Sequence, residues 1–278
     1  MNTRFAVNGG VRLAYDDPGP GTGDPLLMIM GTGASRFWWP QGLLQCLREH
    51  GFRPAVFDLR DAGESTHPHA AYGAEDLVDD AAAVLDALGW PAAHVFGLSL
   101  GGVVAQRLAL RHPDRVLTVT SFASGPSDAG VWTVFLRYLR WGRQLRMLRI
   151  LRGAHDDDLS LGLAVLRATS SAEHPAEESV ARDATDRERA HGISGFRDLA
   201  AQRRQSGARW HGPPLRELRK PVLVMCGDAD PVMRPRASRD TAAAISGARL
   251  VILPGVGHSL PSAIWPTVAR ELRALAHP

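Results

Sequence analysis

The segment His94–Gln106, HVFGLSLGGVVAQ, frames one serine with glycines: Gly97 stands two places before Ser99 and Gly101 two places after it. Glycine weakens a strand, and a helix N-cap serine does not call for it on both sides. Both glycines become necessary where a strand ends in a sharp turn that runs straight into a helix. The central hydroxyl then stands above the sheet edge, and the backbone around it leaves no room for side chains. That arrangement is a nucleophile elbow, and it prepares a serine oxygen to attack a carbonyl. The apolar run AHVF before it and GGVVAQRLAL after it supply the strand and the helix. A helix N-cap beside two packing glycines is the competing reading.

A serine hydroxyl is a weak nucleophile without a base, and the base needs an acid to orient it. VLVMCGDADPVMRP closes a later apolar run with Asp228 and Asp230, and VILPGVGHSLP closes the next with His258. Both are expected as loops at the carboxyl ends of strands, where ligands bind in open parallel sheets. Asp230 precedes a proline, which favours a turn, and is preferred as the acid. Asp228 is expected to brace that turn, and Asp128, after VLTVTSF, is an outside candidate. The oxyanion donors are expected to be the N–H of Leu100, next to the nucleophile, and that of Thr32 in GTGAS, with Gly31 permitting the turn. GTGAS superficially matches a dinucleotide-binding loop, but Arg36 occupies the place of the final glycine. His67 and His69 lack a third ligand, His94 and His112 flank regular elements, and Asp156-Asp157-Asp158 reads as a solvated loop. Neither a metal nor an organic cofactor is expected.

These residues need a scaffold that alternates strands and helices. RFAVNGGVRLAYDD reads as a hairpin turning at Asn8-Gly9-Gly10. PLLMIM, PAVFD, AHVFG, VLTVTSF, PVLVMCG and ARLVIL are short apolar runs suited to strands buried on both faces. Between them, Leu77, Ala81, Val84, Leu85 and Leu88 fall on one helical stripe that Gly89 ends. The order implies an α/β fold with a doubly wound, mostly parallel sheet. Residues 127–215 break the rhythm and read as an inserted helical lid, leaving 1–126 and 216–278 as the core. In the lid, Arg137, Arg140, Arg143, Arg146, Arg149 and Arg152 recur every third residue, a period that drifts around a helix and reads as a solvated face. Phe37, Trp38, Trp132, Tyr138 and Trp141 are the candidate lining of a wide apolar substrate pocket, with lid-to-core packing as the alternative.

The 278 residues carry a net charge of only +3, with acids and arginines mostly interleaved, so nucleic acid is not an expected partner. No run is long and apolar enough to span a bilayer, and a membrane is not expected as a partner either. Cys46 and Cys226 have no metal-ligand spacing and cannot make a disulfide framework. The first ten residues lack the apolar core of a signal peptide, and the expected location is the cytoplasm.

Taken together, MGTGAS, RDAGEST, GLSLGG and PGVGHSLPS resemble the α/β-hydrolases, and most closely the actinobacterial polyketide methylesterases of the aclacinomycin methylesterase type. The resemblance covers the core rather than the lid, and Met30 replaces a histidine found in many members. It implies a Ser99–Asp230–His258 triad, backbone oxyanion donors at Thr32 and Leu100, and hydrolysis through an acyl-enzyme of a small-molecule apolar carboxylic ester, with a methyl ester of a bulky, polyketide-like metabolite as the expected case. A lactonase, a C–C bond hydrolase or a perhydrolase would share the same triad. A non-catalytic ligand receptor on this fold is the reading from a different class.

Overall fold

The computed structural model describes residues 3–153 and 155–277. Eight strands form one sheet in the order β1-β2-β4-β3-β5-β6-β7-β8. They are β1 (Thr3–Asn8), β2 (Val11–Asp16), β3 (Asp24–Ile29), β4 (Phe52–Phe57), β5 (Ala93–Leu98), β6 (Val116–Phe122), β7 (Val222–Gly227) and β8 (Arg249–Leu253). β1 and β2 pair antiparallel with Asn8 opposite Val11, so Gly9-Gly10 makes the expected two-residue turn. β2 meets β4 antiparallel, and every pair from β4 to β8 is parallel. Each expected strand is present.

The apolar runs are continuous because both faces of the sheet are covered. Alternate residues point to opposite sides. Leu27 and Ile29 of β3 pack with Val95 and Val224 against α2 (Ala74–Ala87) and α3 (Leu100–Arg111). Leu26 and Met28 pack with Phe96 and Met225 on the other face, among residues of α1 (Gln41–Glu49). The stripe predicted for α2 is buried at Leu77, Ala81, Val84 and Leu85. Gly89 ends the helix in a left-handed conformation, its N–H donating to Asp86 and that of Trp90 to Leu85.

Between β6 and β7 the chain leaves the sheet. It forms a short turn α4 (Val131–Thr133), a π-helical turn at Val134–Tyr138, and the helices α5 (Trp141–Arg152), α6 (Asp158–Thr169), α7 (Glu178–Ala190) and α8 (Leu199–Gly207). After β7 come α9 (Arg236–Ala244) and, beyond β8, α10 (Trp265–Ala276), whose Val268, Ala269 and Leu272 join the same core as α1. Among the described residues, no helix is long and apolar enough to cross a membrane.

Candidate active site

Ser99 sits between β5 and α3 with φ 55° and ψ −117°, a backbone state that non-glycine residues rarely adopt. The surroundings fix it there. Its N–H donates to the Phe122 carbonyl at 2.9 Å, and its own carbonyl accepts from the Ser124 hydroxyl at 2.6 Å and from the Gly102 N–H at 3.0 Å. The framing glycines now have a cause. A Cβ on Gly97 would lie 2.1 Å from the Gly101 carbonyl oxygen, and one on Gly101 would lie 1.9 Å from that of Ile29. The elbow therefore closes only with hydrogen at both places.

The two downstream loops meet each other at the cavity that Ser99 also lines. The His258 Nδ1 and Asp230 Oδ2 are 2.7 Å apart, with both side chains buried. The other Asp230 oxygen, Oδ1, accepts from the Val232 and Met233 N–H groups at 2.7 and 2.8 Å, which leaves Oδ2 to the imidazole. The His258 N–H donates to the Thr169 carbonyl at the end of α6, so the lid grips the histidine loop. Asp228 does something else: its Oδ1 accepts from the Gly255 N–H at 2.8 Å and ties the β7 loop to the β8 loop. Asp128 accepts from the Leu215 N–H, a contact at the base of the lid and not in the cavity lining.

Ser99 and His258 open into one cavity of about 610 Å³. Its core side is lined by Met30, Thr32 and Trp38, and its lid side by Met147, Leu148, Leu151, Val165, Leu166 and Phe196. Of the five aromatics expected in the pocket, only Trp38 lines it. Phe37, in the short 3₁₀ turn Arg36–Trp38, is outside the cavity lining and has the Arg36 and Arg187 guanidinium groups over its ring. The Tyr138 hydroxyl donates to Asp240 on α9. Trp132 is 73% exposed, and Trp141 packs against Phe135 outside the cavity lining. Leu and Met at helical spacing in MLRIL and LAVLRA line the lid side instead, and their i, i+3, i+4 pattern was the available signal.

The loop after β3 is held from three directions. The buried Arg36 guanidinium binds Asp16, Asp58 and Glu64; burial opposes its charge, but Asp58 and Asp16 outweigh burial and raise its pKa. The Gly33 N–H donates to Gln205 Oε1 of α8, and Gly33, not Gly31, is the left-handed residue of the turn. At Gly31 a Cβ would sit 3.4 Å from that of Ser99, an ordinary contact, so neither turn geometry nor crowding demands glycine there. From α7, Glu188 Oε1 accepts from the Ser35 hydroxyl at 2.7 Å and from Trp38 Nε1 at 3.0 Å. Burial pushes the Glu188 carboxyl up to about 7, against those two hydrogen bonds. No local pattern announces Gln205 or Glu188; both act across more than 150 residues of chain. Among the described residues, no group of three or more His, Cys, Asp or Glu side chains is placed to hold a metal ion.

The family model described as the alpha/beta hydrolase fold matches residues 24–261. The chain belongs to the α/β-hydrolase family. Rhodomycin D methylesterase DnrP of Streptomyces peucetius is 31% identical, covering 99% of this chain and 98% of its own. Rhodomycin D methylesterase DauP of Streptomyces sp. (strain C5) is 29% identical with the same coverage. Among solved structures, a hydrolase from Pseudomonas aeruginosa PA01 superposes with a TM-score of 0.74 at 26% identity, covering 100% of this chain and 99% of that one.

Proposed function

We propose that this α/β-hydrolase is a serine hydrolase of carboxylic esters, acting on a methyl ester of a bulky, polycyclic, polyketide-like metabolite in the cytoplasm. The observation that carries the reading is the buried His258–Asp230 contact of 2.7 Å, whose histidine lines the same cavity as the strained Ser99. The full-length similarity to two rhodomycin D methylesterases supports the ester, and the carbon-lined cavity suits a large apolar acyl part.

In this reading His258 takes the Ser99 proton as Oγ forms a bond to the ester carbon. Asp230 holds the imidazole tautomer and stabilises the imidazolium. The carbonyl electron pair moves to oxygen, where the Leu100 and Thr32 N–H groups receive it. Leu100 suits the role because the first N–H groups of a helix have no partner within it. Thr32 suits it because the neighbouring donors are engaged: Gly33 with Gln205, and Ala34 with the Gly31 carbonyl. The tetrahedral intermediate collapses, and the alcohol leaves with the proton from His258. Water, deprotonated by His258, then cleaves the acyl-Ser99 bond by the same route and frees the acid. Trp38 and the lid leucines hold the acyl part.

A fluorophosphonate probe and a panel of methyl esters, lactones and β-diketones test this. The expected result is labelling at Ser99, turnover of bulky methyl esters, and loss of several orders of magnitude in kcat for Ser99→Ala with unfolding unchanged. Labelling elsewhere, or near-normal turnover by Ser99→Ala, refutes the nucleophile. Preference for lactones or β-diketones refutes the methyl ester.

A further inference from the structure

The strip of lid that precedes and includes α5 carries a surface the ester chemistry does not use. From residue 129 to residue 155 the sequence has six arginines and no aspartate or glutamate. Apolar side chains of the same strip stand in solvent: Trp132 is 73% exposed, Leu136 64% and Leu145 57%. Trp132, Phe135 and Trp141 pack edge to face into an aromatic ridge beside them. Arg137 pairs with Asp240, whereas the exposed Arg140, Arg146, Arg149 and Arg152 make no ion pair among the described residues.

Position on the helix connects this surface to the cavity. Trp141, Leu145, Leu148 and Arg152 recur at i, i+4, i+7 and i+11, so they share one face of α5. Leu148 is 37% exposed and also lines the cavity, so this face borders its opening. The strip is anchored at its middle. The Tyr138 carbonyl accepts from the Arg234 N–H, and the Arg140 N–H donates to the Val232 carbonyl, on the loop that follows Asp230.

We propose that this strip docks the protein onto an anionic lipid surface, with the aromatic ridge and leucines among the headgroups and the arginines on the lipid phosphates. The contact is peripheral, since no described helix is able to span a bilayer. Charge decides the occupant. A twofold pairing of this face with itself would set the uncompensated arginines of two copies against each other. An anionic bilayer surface offers negative headgroups and apolar depth to the same side chains. The cavity opening then lies against the phase into which a bulky apolar ester partitions. That last consequence rests on the ester reading, whereas the docking itself does not.

The test measures sedimentation of the full chain with vesicles of phosphatidylcholine alone or mixed with phosphatidylglycerol, beside hydrolysis of a water-soluble ester. Binding is expected on the mixed vesicles, falling at least about thirtyfold in Arg149→Glu/Arg152→Glu, which reverses the two charges on and beside the leucine face of α5. A similar fall is expected in Leu136→Ser/Leu145→Ser, with soluble-ester turnover and melting temperature unchanged in both variants. Equal binding to both vesicle types, no binding, or wild-type binding by both variants overturns the proposal. So does a dimer in sedimentation equilibrium that Leu136→Ser/Leu145→Ser dissolves. Vesicle binding by a protein that hydrolyses no ester would overturn the ester reading and leave the docking standing.

Discussion

Glu188→Gln isolates the effect of a buried carboxyl at the junction of lid and core. Glu188 is 1% exposed, and no cation pairs with it among the described residues. Burial moves its carboxyl from the ordinary 4.5 to about 7. In the unfolded chain the same group releases its proton near the ordinary value. As pH rises between the two, the unfolded state has given up a proton that the folded state still holds, so stability falls; below and above that window this group contributes no slope. At about 1.4 kcal/mol per pH unit the loss comes to about 3 kcal/mol. Glutamine keeps an acceptor for Ser35 and Trp38 but never ionises, so the slope disappears. Its new N–H₂ takes the place of Oε2 beside Gly195 and costs about 1 kcal/mol as an unpaired buried donor. The variant should be about 1 kcal/mol less stable than wild type at acid pH and about 2 kcal/mol more stable at pH 8, the curves crossing between pH 5 and 6. For a chain of this size that is a melting temperature about 4 °C higher at pH 8. Thermal unfolding followed by circular dichroism across this pH range reads the difference. Parallel curves with a constant offset would refute the argument that Glu188 carries the slope.

Two further substitutions probe the elbow and its partners. Asp230→Asn should lower kcat by roughly 10⁴ because His258 is left in the wrong tautomer, whereas Asp228→Asn, which only ties two loops together, should lower melting temperature with kcat nearly intact; steady-state kinetics beside unfolding separates them, and the reverse ranking would exchange their roles. Ser99→Gly should abolish turnover yet raise stability by about 1 kcal/mol in urea titration, since glycine adopts a positive φ without the strain that serine bears; an unchanged or lower midpoint would mean that the elbow stores no such strain.

The sheet is readable from the sequence because its instructions are local. An apolar run of five or six residues between turn-formers has few alternatives to a buried strand, and Gly9-Gly10 and Gly89 act within their own turns. The Ser99 frame is equally local, since Gly97 and Gly101 serve contacts within the turn and with the adjacent strand β3. Asp230 and His258 come together because each lies in the loop after a strand, three residues beyond β7 and five beyond β8. The lid lining escaped this reading. Phe37 and Trp38 are neighbours in a single turn yet face different surroundings, and composition cannot say which of two adjacent aromatics meets a cavity. The place of the insertion, just after the β6 end beside the elbow, puts Trp132 and Trp141 near the cavity, but the lid helices line it with leucine and methionine and leave the aromatic ridge outside. Gln205 and Glu188 are decided only once α7 and α8 come to rest on the loop after β3.

The lid departs from the end of β6 and returns at β7, and these two strands are hydrogen-bonded neighbours, with Val119 opposite Val222. The sheet would therefore be continuous whether the intervening chain were long or short. The entropy of closing such a loop grows only with the logarithm of its length, about 0.6 kcal/mol for each doubling. Lid size is thus almost decoupled from the stability of the sheet beneath it. A different helical insert placed between Asp128 and Leu215 would reshape the cavity wall opposite Ser99 while leaving the strand register and the Ser124 contact intact, provided that it restored an acceptor for the His258 N–H and for the Gly33 N–H.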